Sequence, residues 1–85
     1  MVYHLQIISA MTSKNPKNNK SRHINIVVDN DYQSIDDIEQ QIDKKFHKHL
    51  NDLQSINKNE YIYNELDEDK RLCDYLIRIE ERDLN

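Results

Sequence analysis

The chain contains no glycine at all, where ordinary usage of about 7% predicts roughly six in a chain of this size. Glycine supplies positive-φ turns and lets the backbone approach a phosphate closely. Its absence excludes the P-loop, the dinucleotide-binding fingerprint and the glycine-flanked nucleophile elbow. Turns then fall to Asn and Asp, the next residues to tolerate left-handed geometry. Tryptophan is absent too, and there is one proline, Pro16, and one cysteine, Cys73. A single cysteine forms no internal disulfide, and it lies in an apolar run, where an inert buried thiol is the usual state. No apolar stretch approaches the roughly 20 residues of a membrane helix. The opening residues, Met1 to Ala10, have no basic segment, and His4 and Gln6 interrupt their apolar residues. We expect a cytoplasmic protein.

Eighty-five residues make one domain, spanning 1–85. Chains this short bury only about 60–65% of their unfolded surface, so the core is thin. Hydrophobic residues make up 36% and charged residues 33%, leaving few side chains to spend on that core. A thin-cored polar chain often gains stability from a partner or from a second copy of itself. Abundant Asn, Ile and Lys also suit a low-GC coding genome.

Val2 to Ala10 reads as a strand, with Tyr3, Leu5 and Ile7 alternating with His4 and Gln6. Ile8 breaks the alternation. Thr12 to Arg22 reads as an exposed loop with no large apolar residue. His23 to Asp29 reads as a second strand, dense in β-branched residues, with Ile24, Ile26 and Val28 on one face. The two strands form an antiparallel hairpin with a basic tip, which makes His4 and His23 candidate cross-strand neighbours.

Ser34 to Leu53 reads as one long helix. Ser34 is the N-cap, Asp37 stands three residues on, and Asp36, Asp37 and Glu39 crowd the positive end of the dipole. Ile35, Ile38, Ile42, Phe46, Leu50 and Leu53 recur at three- and four-residue steps as one apolar stripe. Asn57 to Asn59 is a break, and Glu60 to Asn64 reads as a short third strand. Asp67 to Arg82 fits two templates. As a helix it sets Leu72, Tyr75, Leu76 and Ile79 on one stripe behind an acidic start; as a strand it alternates Cys73, Tyr75, Ile77 and Ile79 with Asp74, Leu76, Arg78 and Glu80. The acidic start favours helix. The expected fold is therefore α+β: an antiparallel hairpin or sheet of two to three strands, packed on one long helix and followed by a C-terminal helix, with a C-terminal strand as the alternative.

Little points to catalysis. His47 and His49 diverge on a helix and share no metal. Asp29, Asp31, Asp36 and Asp37 cluster after the second strand, but without the lysine and spaced carboxylates of a metal-dependent nuclease. Ser9, Ser13, Ser21, Ser34 and Ser55 have no elbow context. We expect no enzyme, no cofactor and no metal site.

Charge is distributed unevenly. Residues 1–25 hold Lys14, Lys17, Lys20 and Arg22 and no acid; residues 26–85 hold eight Lys/Arg against sixteen Asp/Glu. The basic loop is a candidate nucleic-acid contact through Lys14, Lys17, Lys20 and Arg22. The acidic body suits a basic protein surface. Tyr61 and Tyr63, followed by Glu65, Asp67, Glu68 and Asp69, combine aromatic anchors with dense negative charge and form the candidate partner-binding stretch. The favoured reading is a small protein-binding regulator or inhibitor, of phage or mobile-element type, acting on a host nucleic-acid enzyme. A nucleic-acid-binding protein and a structural homodimeric subunit are the alternatives.

Overall fold

In the first strand Leu5 and Ile7 have no solvent exposure, while His4, Gln6 and Ile8 around them are half-covered, as alternation demands of a strand with one face on a core. A computed structural model describes residues 1–12, 22–66, 68 and 70–83. Strands β1 (Val2–Thr12) and β2 (Arg22–Tyr32) are antiparallel neighbours, each two or more residues longer than the periodicity predicted. Residues 13–21, and with them Lys14, Lys17 and Lys20, lie outside the described residues.

Helix α1 (Ile35–Phe46) follows directly. Ser34 caps it as expected, its Oγ accepting from the Asp37 backbone N–H at 3.2 Å. The expected continuation to Leu53 is not there. His47 turns left-handed, with φ 55°, and its N–H closes on the Asp43 carbonyl at 2.8 Å. Leu50 and Leu53 keep the phase of the apolar stripe because both reach the same core, from a short 3₁₀ turn (Leu50–Asp52) and the residue after it. The left-handed positions among the described residues are His47 and Lys70, not the Asn and Asp residues expected to take them. The Asn57–Asn59 turn closes by side-chain bonds instead: Asn57 Oδ1 accepts from the Asn59 N–H at 3.1 Å, and its amide donates to Glu60.

The largest correction lies beyond the helix. Strand β3 (Gln54–Asn57) forms just past the expected helix end and runs into the expected break, β4 (Glu60–Leu66) extends the short third strand, and β5 (Leu72–Arg82) replaces the expected C-terminal helix. The fold is a five-stranded antiparallel sheet in the order β2-β1-β5-β4-β3 with one short helix, not a hairpin or sheet of two to three strands packed on one long helix and followed by a C-terminal helix. The physical reason is the sheet's need for a partner at the second edge of β1. β5 lies along it from Val2↔Arg82 to Met11↔Cys73, and its other side takes β4. Each side of β5 thus has a backbone partner, which no helix in that place would provide.

α1 covers one face of this sheet. Ile38, Ile42 and Phe46 meet Leu5 and Ile7 of β1, Ile77 and Ile79 of β5, and Leu50 and Leu53. Val28, Tyr32, Tyr61, Tyr63 and Tyr75 pack around them. Fully burying each of the aliphatic side chains contributes about 1.5–3 kcal/mol.

Candidate functional site

With α1 on one side, the register fixes what the other side carries. Opposite Leu5 and Ile7, the even positions of β1 present His4, Gln6, Ile8 and Ala10. β5 adds Asp74, Leu76, Arg78 and Glu80, and β4 adds Glu60, Ile62 and Asn64. On β2 the register slips at Val27: Ile7 faces Val28, whereas Ile8 faces Ile26. This β-bulge turns Val28 toward the helix and leaves Ile24 and Ile26 on the open face. The expected single face of Ile24, Ile26 and Val28 is therefore split.

The open face divides in two. Its upper half is apolar. Ile8, Ala10, Ile24, Ile62 and Leu76 line a shallow depression of about 410 Å³, bordered by Asn64 and Asp74. Ile24 is 70% exposed and Ile26 63%, unusual for isoleucine in a strand. The lower half is charged. The His4 ring lies between two carboxylates, Nδ1 2.6 Å from Asp31 Oδ1 and Nε2 2.5 Å from Asp29 Oδ1. Both nitrogens donate at once only when the ring is protonated. Arg78 clamps Glu60 Oε2 with Nε at 3.0 Å and a terminal nitrogen at 2.7 Å. Asn57 first, then Arg78, hold the Glu60 carboxyl below its ordinary range. Arg82 donates to Glu80 at 3.3 Å. Asp29, Asp31, Glu60 and Glu80 outnumber Arg78 and Arg82, so this half is acidic on balance.

The stretch chosen from sequence is distributed differently. Tyr61 and Tyr63 point to the helix side. Tyr63 belongs to an aromatic cluster in which Phe46 lies 5.1 Å from Tyr63 and 4.9 Å from Tyr75, centroid to centroid. Tyr61 lines a cavity of about 580 Å³ with Tyr3, Ile35, Leu50 and Ile79, beneath Lys58, Glu80 and Glu81. Although larger, this cavity is a gap at the end of the helix-packed core. The smaller depression lies on a face with no element over it among the described residues. Glu65 accepts from the Tyr75 hydroxyl at 3.1 Å; burial first, and then this bond, pushes Tyr75 up to about 12. Glu68 is exposed, while Asp67 and Asp69 lie outside the described residues.

The histidines do not converge. His4 pairs with Asp31 and His23 with Met11, so the expected cross-strand pair is absent; His47 and His49 are exposed beyond the helix end. Cys73 is buried. Among the described residues no group of three or more His, Cys, Asp or Glu is placed to hold a metal ion, and no helix is long and apolar enough to cross a membrane.

The apolar depression escaped the sequence reading, although a signal was present. Adjacent apolar pairs, Ile7–Ile8, Val27–Val28 and Leu76–Ile77, break the alternation of three strands. Such pairs put apolar side chains on both faces of a sheet that one short helix covers on one face only. No protein-family model matches the chain, and no match is found among curated proteins or solved structures.

Proposed function

We propose that the chain is a non-enzymatic protein-binding regulator whose docking surface is the open face of the sheet. The observation that carries this reading is the apolar depression of Ile8, Ala10, Ile24, Ile62 and Leu76, set beside an acidic half-face. An apolar centre with a charged border is the arrangement of a protein interface. The border of carboxylates calls for a partner with an apolar anchor and Lys or Arg around it. Such a surface belongs to many proteins that handle nucleic acid, which supports the narrower reading of an inhibitor acting on a nucleic-acid enzyme.

The test is capture of the partner from the native host, followed by titration of the purified partner. Leu76→Lys and Ile62→Lys should each weaken binding at least about tenfold. Asp29→Asn with Asp31→Asn should lower the association rate and its salt sensitivity. A purified partner that binds all these variants like wild type overturns the reading.

A further inference from the structure

The cavity of about 580 Å³ lies on the helix side of the sheet, at the end that carries His4 and Arg78 on the opposite face. Small-molecule sites span about 300–1,000 Å³. Tyr3 of β1, Ile35 at the start of α1, Leu50 of the 3₁₀ turn, Tyr61 of β4 and Ile79 of β5 give it an aromatic and aliphatic lining. The β3–β4 turn closes one side, because the Ile79 N–H donates to the Asn59 carbonyl at 3.0 Å and holds Lys58 at the mouth. Glu81, paired with Tyr3 across β1 and β5, stands at the mouth as well.

The polar groups around this cavity differ from those elsewhere in the fold. Tyr75 is bonded to Glu65, Glu60 to Asn57 and Arg78, and Glu80 to Arg82. The side chains of Tyr3, Lys58, Tyr61 and Glu81 have no hydrogen bond or ion pair with another described residue. One cation, one anion and two phenol hydroxyls thus surround an apolar lining with their bonding capacity unspent.

We infer that the cavity binds a small zwitterion with a flat aromatic body, of the aromatic α-amino acid type. The ring of the ligand leaves water for the aliphatic lining and the tyrosine rings. Lys58 takes the carboxylate and Glu81 the ammonium, through charge-assisted hydrogen bonds. The two hydroxyls add the few placed polar contacts that fix orientation in such a site. A ligand carrying only one charge leaves one of the two mouth groups without a counter-charge, so the zwitterion is selected over both. The inference is independent of the docking surface above. Of the residues lining the cavity only Glu80 also borders the open face, and the binding uses Glu80 for nothing.

The chain has no tryptophan, so the fluorescence of added L-tryptophan reports on the ligand alone. Titrating the full chain into L-tryptophan should raise its anisotropy to saturation, with a dissociation constant in the micromolar to millimolar range expected of so few atoms. Tryptamine lacks the carboxylate and indole-3-propionate lacks the ammonium, and each should bind at least about tenfold more weakly. Lys58→Gln and Glu81→Gln change exposed side chains and should keep the circular dichroism of wild type. The first should lower L-tryptophan affinity to that of tryptamine, and the second to that of indole-3-propionate. Amide resonances of Tyr3, Tyr61 and Ile79 should move on titration. Absence of saturable L-tryptophan binding overturns the inference. So do three probes that bind equally, an affinity unchanged in either folded variant, or resonance shifts centred on Ile8 and Leu76.

Discussion

The Tyr75 hydroxyl donates to Glu65 Oε1 at 3.1 Å across the β4–β5 pair, while its ring meets the Phe46 ring at 65°. Burial first, then the Glu65 hydrogen bond, raises the Tyr75 phenol from 10.0 to about 12. The folded state therefore holds this proton more tightly than the unfolded chain. Linkage fixes the sign: the contribution is fully present below pH 10 and is lost as pH rises from 10 toward 12. Denaturant midpoints measured over that window should fall with pH in wild type. Tyr75→Phe should flatten that part of the curve, and an unchanged slope would remove Tyr75 as its source.

Phe46 is the end of the helix stripe and the centre of the aromatic cluster. Phe46→Ala removes contacts with both Tyr63 and Tyr75, and should cost about 3–5 kcal/mol in urea unfolding. In a chain with so small a core, that loss leaves much of the population unfolded near body temperature. A melting temperature within a degree or two of wild type would mean that the cluster contributes little.

His47 ends α1 at φ 55°, a conformation in which any side chain beyond Cα is crowded. His47→Gly keeps the turn and its bond to Asp43 while removing the clash. It should stabilise the protein by about 1 kcal/mol, less the added freedom of the unfolded chain. His47→Val should destabilise by at least as much. Thermal melts of the two variants on either side of wild type would establish the helix stop; equal melts would refute it.

The two candidate docking regions separate cleanly by mutation. Tyr61→Ala with Tyr63→Ala should lower stability, because both side chains pack on the core, and should leave the affinity of the remaining folded protein near wild type. Leu76→Lys should do the reverse, lowering affinity with little change in the melt. Partner binding measured alongside circular dichroism distinguishes them, and loss of affinity in a fully folded tyrosine variant would return the interface to the Tyr61–Asp69 stretch.

What the residue order made readable was local. Alternation around Leu5 and Ile7 gave the first strand, β-branched density gave the second, and Ser34 with its acids gave the helix start. The helix end was hidden because Leu50 and Leu53 stay in step with Ile42 and Phe46 although the chain turns at His47 between them. Periodicity records which residues reach a core, not by what path. The last element was hidden for another reason. Leu72, Tyr75, Leu76 and Ile79 suit a helix as well as Cys73, Tyr75, Ile77 and Ile79 suit a strand, and the choice depends on the vacant edge of β1, far away in sequence. The candidate site was missed through the bulge at Val27, which moves Ile24 and Ile26 away from Val28 and shows in the sequence only as the adjacent pair Val27–Val28.

That pairing of β1 with β5 also governs the order of events in folding. β1 has its nearer neighbour in β2 and its other neighbour in β5, far along the sequence, with Val2 opposite Arg82. β5 sits between β1 and β4, so it is the one strand that joins the β1–β2 hairpin to the β3–β4 hairpin. Both hairpins form from nearby residues, but neither can share a core with the other until the chain's longest loop has closed. Refolding should therefore be limited by insertion of β5 as a wedge between two preformed halves. Mutations along its seam, at Ile77 or Ile79, should slow folding more than equally destabilising changes in the β3–β4 turn.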